Sequence, residues 1–591
     1  MRFHARLNLR ASILFLSLVS TLWAADPRVK NIQTLKNAGG RVDWSANRNL
    51  IAFDQPGSDG YFDVYTMNPD GSNTVCLTCD KVPPNRHIGN PAWDPTGNWI
   101  AFQVQKVAAG PLDKLANPGA GANNDIWVMD AAGTKFYQMT NITAFQGGVL
   151  HPHFSHKGDL LMWAERLSGV GGGLYGIWAI RVADFRVTNG IPGISNVRTF
   201  QPGDQKFFYE THSFSPDDSK IYFSGNLALG QSELDIDIYS LDLQTEGLVN
   251  LTNTLDNWDE HSQISPSGNG IVWMSSTGNG SPRNGNVATD FWIMSPDGSN
   301  KVRLTYFNDS TAPEYSHLPF VTCADNSWSP DGTQFVATIL TDPINSVGEI
   351  VLITLDTSST TIHSASSAAT VAAGSIVSAF GRGLSLSAAA TTSTTLPLSL
   401  GGVTVAVTDS LGTQRNAPLF YASPGQVNYL VPDGTASGKA TAAFTMNGKV
   451  ASISTLQVAA SAPGIYTASQ NGKGVAAAYV QPVTQGLTLP YLLIFKCDLS
   501  GLNCASTPIN LGVADQVYLD LFGTGLRGAS NVTVLIGGQT LPVKYSGPQN
   551  TYPGLDQVVV LLPKSLAGLG EVDLTVMADG QAANTVRVNL Q

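Results

Sequence analysis

Charge is scarce in this 591-residue chain: 13% of residues are Asp, Glu, Lys or Arg, while 43% are hydrophobic. A disordered chain needs the opposite balance, so this one folds. Long apolar runs are also missing. Beyond the first 25 residues no stretch reaches the roughly 18–20 apolar residues of a membrane helix, which excludes a helical membrane span. Unbroken helical stretches are lacking too, because 59 Gly and 32 Pro interrupt the chain too often for helical bundles and favour short strands joined by turns. Basic charge is in deficit, 33 Lys and Arg against 44 Asp and Glu, which disfavours a nucleic-acid partner. Familiar catalytic signatures are absent: there is no Gly-x-Ser-x-Gly elbow, His-Glu-x-x-His pair, P-loop or EF-hand loop. Conventional hydrolase chemistry therefore has no nucleophile in the sequence.

Residues 1–25 are present for another purpose. Arg2, Arg6 and Arg10 precede the apolar run Ala11 to Val19, and the small Ala24 and Ala25 follow. That order is a secretory signal, so the chain is expected to be exported to a periplasm or the medium. Residues 25–360 carry 20 basic and 35 acidic residues, whereas residues 361–591 carry 10 and 9. The first part is thus the place for a cation or a positively charged ligand.

Five cysteines are an odd count. Cys497 and Cys504 read as a disulfide closing a surface loop of an exported protein. Cys76 and Cys79 fall at a strand end, where i and i+3 side chains face opposite ways, which argues against a direct bridge. A zinc knuckle there lacks a second cysteine pair.

One pattern recurs six times between residues 38 and 356. A hydrophobe precedes Ser-Pro-Asp-Gly or a variant, and an alternating apolar strand follows. The anchors are Trp44, Trp93, Phe154, Phe214, Ile264 and Trp328. Pro presets φ, Asp caps the turn and Gly takes the positive φ, so each copy is a β-hairpin. Third strands begin near Asp63, Asp125, Gly176, Asp237, Asp290 and Glu349, and fourth strands end in Leu77-Thr78, Met139-Thr140, Leu251-Thr252 and Leu304-Thr305. Four strands at this spacing make a blade, and six blades make a β-propeller. The last copy lacks a fourth strand, and Val29 to Leu35 is expected to supply it and close the ring; Ser358 to His363 is the alternative.

In these Pro-Asp repeats the chain resembles the TolB-like β-propellers. That resemblance implies the fold, which serves binding proteins, peptidase gates and lyases alike. After a Ser/Thr/Ala-rich linker at 357–374, two related modules are expected at 375–466 and 467–591. Ile376 to Leu384 matches Tyr518 to Leu526, and Gln426 to Pro432 matches Gln557 to Pro563. The fold class is therefore all-β: a signal peptide at 1–25, a six-bladed propeller at 26–356 and two immunoglobulin-like β-sandwiches. The modules resemble an uncharacterised C-terminal domain of acidobacterial secreted proteins, which implies adhesion or spacing.

Histidine placement is the unusual chemical feature. Seven of nine His lie in the propeller, and His87, His151, His153, His212, His261 and His317 come just before hairpin copies. Inner strands all run the same way, so these side chains gather at one end of the channel. His151, His153, His212 and His261 are candidate metal ligands, with Glu210 and Glu260 to orient them. A divalent transition metal is the only cofactor the sequence suggests, and turn-capping and a metal-free ligand site are the alternative roles for these His. His87 and Trp258 complete the candidate channel rim. Trp127, Trp178, Tyr239 and Trp292 hold equivalent third-strand positions and are expected to pack between blades.

The function expected is an exported, non-catalytic binding or scaffold protein that takes a protein, peptide or glycan at the channel mouth. The alternative is a metal-dependent lyase or hydrolase acting on an extracellular polysaccharide, since some uronate lyases are similar propellers with His ligands near the channel.

Overall fold

A computed structural model describes residues 29–81, 85–106, 115–144, 146–169, 175–204, 207–342 and 347–591. The expected signal peptide lies outside them. One compact unit covers residues 27–356 and a second covers most of the remainder.

The first unit is a six-bladed β-propeller of four-stranded antiparallel sheets. Its inner strands are Val42–Trp44, Ile88–Trp93, Gly148–Phe154, Tyr209–Phe214, Asp259–Ile264 and Thr322–Trp328, in blades one to six. The Ser-Pro-Asp-Gly turn does what its residues dictate. In blade six the Ser329 hydroxyl donates to Asp331 at 2.6 Å and accepts from the Gln334 N–H, while Thr333 N–H donates to Asp331 at 3.0 Å. Gly332 sits at φ +71°, where a side chain is disfavoured.

A second repeated device joins third and fourth strands. Thr140, Thr252 and Thr305 donate their hydroxyls to Asp125, Asp237 and Asp290 at 2.9, 2.7 and 2.9 Å. Each hydroxyl also accepts the next strand residue's N–H, from Ile126, Ile238 and Phe291. The Asp at the head of the third strand and the Thr at the foot of the fourth are therefore one structural unit. Thr252→Val leaves the buried Ile238 N–H unpaired and should cost about 1–3 kcal/mol in chemical denaturation.

The N-terminal strand Val29–Gly39 pairs antiparallel with Val347–Leu355, with Val29 opposite Leu355 and Ile32 opposite Ile353. It thus becomes the outer strand of blade six and closes the ring. Ser358–His363 instead pairs with Ile376–Phe380 and, in parallel, with Lys449–Ala459. The Ser/Thr/Ala-rich stretch at 357–374 is accordingly built into the next module and is no free linker.

Trp178 and Tyr239 are buried in the apolar core between blades, and Trp127 and Trp292 pack against neighbouring cores. Cys497 is bridged to Cys504. Cys76 is also bridged to Cys79, against expectation. The strand ends at Cys76 and the chain turns, so the two side chains meet with Cα atoms 5.8 Å apart.

The second unit holds two β-sandwich modules, each with its own core. Tyr429, Phe444 and Leu456 lie in the first, and Leu521, Val560 and Val588 in the second. The internal match found in the sequence is a structural one. Ile376–Phe380 pairs antiparallel with Gln426–Leu430, placing Phe380 opposite Gln426, and Gln516–Thr524 pairs with Asp556–Leu562, placing Phe522 opposite Gln557.

In the second module Asp520 is buried opposite Tyr479, and burial pushes its carboxyl up to about 6. The folded state then holds its proton more tightly than the unfolded chain does. Stability from this group falls as pH rises from about 4 through 6. Asp520→Asn should therefore stabilise at pH 7.5 by on the order of 1–2 kcal/mol and converge with the parent near pH 4, measured by denaturant melts.

Candidate metal centre in the propeller channel

Blades two to six share one irregularity. The register of the inner strand slips between Gly89 and Ala92, Leu150 and His153, Thr211 and Ser213, Glu260 and Gln263, and Cys323 and Asn326. Each slip is a β-bulge, which re-aims a side chain that regular alternation would place elsewhere. Asn90, His151 and His261 take φ values of +53°, +45° and +54° at these bulges. That region is sparsely populated by residues other than Gly, and Asn and His tolerate it best among the remainder.

The bulges bring His151, His212 and His261 together, with ring centres 5.5–5.9 Å apart. Glu210 joins them. One donor atom from each of His151, Glu210, His212 and His261 lies within 4.8 Å of all the others. Four donors bonded tetrahedrally to one ion at about 2.0–2.2 Å stand about 3.3–3.6 Å apart, so the widest pairs of this set have to close by about 1 Å around an ion. The His151 Nδ1 is 2.7 Å from Glu210 Oε1. Asp325 Oδ1 stands 3.6 Å from both His151 Nε2 and His261 Nδ1, and Glu260 Oε2 is 3.5 Å from His261 Nε2.

The cluster is buried and acidic. Burial lowers His151 and, with the neighbouring His261, His151 and His153, holds His212 well below the usual imidazole range. At His151 and His212 that shift favours the neutral imidazole, the form that ligates metals. Burial raises Glu210 to about 7, and burial together with Glu210 raises Glu260 well above the usual carboxyl range. Glu210 and Glu260 are hydrogen-bonded side chain to side chain, a carboxylic acid against a carboxylate. Burial would raise Asp325 as well, but His261, His151 and Arg41 hold it low. Among the described residues Arg41 is the guanidinium that reaches this cluster, and Asp54 already takes both arms of it at 2.9 and 2.7 Å. Two buried carboxyl groups, Glu210 and Glu260, and the half-buried Asp325 crowd the three imidazoles, an arrangement that a bound cation would relieve.

Other rim residues behave differently. His153 is near His151, with ring centres 6.5 Å apart, but stands outside the four-donor group. The left-handed His151 breaks the alternation that would have put both rings on one face. His87 packs at a tilt against Tyr61 and Phe62, with ring centres 5.0 and 5.7 Å away, and is not one of the four donors. His317 is exposed beside Tyr315. Trp258 packs against two apolar cores and donates its indole N–H to Glu260 at 2.9 Å, so it braces a carboxyl. Asp325 and Arg41 were not singled out in the sequence, although both lie three residues before a blade anchor, as His151 and His261 do.

The loops entering the inner strands, and those joining second to third strands, share one end of the propeller. Exposed apolar side chains on these loops include Tyr175, Phe207, Leu229, Leu255, Leu318 and Phe320.

No family model matches the chain, and no curated protein matches it. Solved structures of similar fold include propellers. A TolB structure from Agrobacterium tumefaciens is 16% identical over 55% of this chain and 96% of its own, with a TM-score of 0.35. The Dos1 propeller is 10% identical over 70% and 96%, with a TM-score of 0.30. A Trypanosoma rangeli sialidase, in complex with the inhibitor DANA, is 8% identical over 90% and 94%, with a TM-score of 0.33. At such identities the likeness concerns the fold alone.

Proposed function

We propose that the chain is an exported binding protein whose propeller holds one divalent transition-metal ion in its channel. His151, His212, His261 and Glu210 are its ligands. The ion and the apolar rim around it receive a protein, peptide or glycan, and the two C-terminal sandwiches, read as immunoglobulin-like, serve as spacers or attachments. The observation that carries this reading is the convergence of four donors from three blades within 4.8 Å. Nitrogen and carboxylate donors in this mixture suit Zn, Mn, Fe or Ni.

Glu260 favours a second reading, a metal-dependent lyase or hydrolase acting on an acidic polysaccharide. A carboxyl that burial and the neighbouring Glu210 push toward its protonated form, beside the ligand set, is equipped to give a proton to a leaving oxygen.

Elemental analysis of protein purified without a His-tag and incubated with Mn and Zn tests the metal. Near-stoichiometric metal supports the site, and none after incubation overturns it. Metal-loaded protein then goes to acidic polysaccharides. Retention without new chain ends supports binding; shortened or unsaturated products support the enzyme.

A further inference from the structure

Blade one breaks a rule that three other blades obey. In blades two, four and five, the residue two places before the strand-four Thr donates to the second oxygen of the strand-three Asp. Gln138 reaches Asp125 at 3.1 Å, Asn250 reaches Asp237 at 2.8 Å, and Arg303 reaches Asp290 at 2.6 Å. In blade one Thr78 still donates to Asp63 Oδ1 at 2.7 Å, but the residue two places earlier is Cys76. A sulfur occupies the place of the missing donor, and among the described residues no side chain donates to the other Asp63 oxygen.

Two sulfurs and a carboxylate stand together at this strand end. The Cys79 N–H donates to Cys76 Sγ at 3.0 Å, and the Tyr65 hydroxyl is 3.5 Å from Cys79 Sγ. Cys76 Sγ thus accepts one backbone N–H and also lies 3.7 Å from the Val64 carbonyl oxygen. Cys76 Sγ, Cys79 Sγ and an Asp63 oxygen lie within 4.8 Å of one another, all half-buried. Asp59 and Asp80 add negative potential to Asp63. The disulfide closes a loop of only four residues, so opening it relieves little chain constraint and leaves the blade standing.

We propose that reduction of the Cys76–Cys79 disulfide converts blade one into a Zn2+ site made of Cys76, Cys79 and Asp63, with water as the fourth ligand. A dithiol reductant supplies two electrons and two protons, and is itself oxidised to a disulfide. Zn2+ then displaces the two thiol protons to solvent. The site exists in one redox state only, so its occupancy reports the thiol–disulfide balance around the protein. It does not depend on the channel cluster.

The test uses the full chain carrying Cys497→Ser and Cys504→Ser, which leaves blade one as the only disulfide among the described residues. It is reduced with dithiothreitol, freed of reductant under argon and titrated with Cd2+, a thiolate-sensitive probe. The expected result is one equivalent with ultraviolet thiolate-to-cadmium absorbance, displaced by Zn2+ and absent before reduction. Cys76→Ser and Cys79→Ser should each abolish it. Asp63→Asn keeps an oxygen for Thr78 and should weaken binding about tenfold or more. No absorbance after reduction, absorbance surviving in Cys76→Ser, or unchanged affinity in Asp63→Asn would each overturn the site. So would unfolding of the metal-free chain on reduction, followed by thermal melting.

Discussion

Replacing His151 and His212 together by alanine should strip the channel of its metal, from near one equivalent to none, with affinity falling about a hundredfold or more. The two rings come from adjacent blades, so no single strand can compensate. Glu210→Gln should weaken the ion as well, because a neutral amide replaces the anionic donor. His153→Ala should leave the metal content unchanged, since that ring stands outside the four-donor group. Thermal melting gives an independent reading. Metal at a hundred times its dissociation constant stabilises the folded state by about 2.7 kcal/mol. For a propeller of this size that raises the midpoint by about 4 °C. The double variant should show no such shift, and a shift equal to the parent's would place the ion elsewhere.

Removing Val29–Gly39 should be the most damaging change to stability. That strand contributes a ladder along Val347–Leu355, and Val29, Ile32 and Leu35 pack against two apolar cores. Backbone hydrogen bonds worth about 0.5–1.5 kcal/mol each, with the apolar contacts added, amount to on the order of 5 kcal/mol or more. That rivals the whole stability of a typical domain. The deletion also bares an apolar strand edge, which favours aggregation. Circular-dichroism melts and light scattering should show a lowered midpoint and self-association. An unchanged melt would mean that the ring closes without this strand.

The blades were legible because their turn chemistry is local. Ser-Pro-Asp-Gly specifies its hairpin wherever it occurs, and Trp93 or Trp328 announces the inner strand that precedes it. The convergence of His151, His212 and His261 with Glu210 followed from a topological rule, that inner strands run the same way, and so it too could be anticipated. The bulges could not. Nothing in the period of Gly148–Phe154 says that His151 adopts a left-handed backbone, so His153 was expected beside it on one face. Asp325 was overlooked for a related reason. It sits three residues before Trp328, where His151 sits before Phe154, but no shared residue type marks that position from blade to blade. His212 falls only two residues before Phe214, which hides the shared offset further. Cys76 and Cys79 were misjudged because the strand was assumed to continue through both.

The left-handed bulge also restricts what the channel is able to become. At position 151 or 261 the backbone admits Gly, Asn, Asp or His with little strain and resists Val, Ile or Thr, whose branched Cβ meets the backbone at positive φ. The permitted residues are, apart from Gly, metal ligands or hydrogen-bonding groups. A lineage drifting at these positions therefore exchanges one polar chemistry for another and seldom falls into an inert apolar plug. Blade two, with Asn90 at the same place, shows one such alternative already written into the ring.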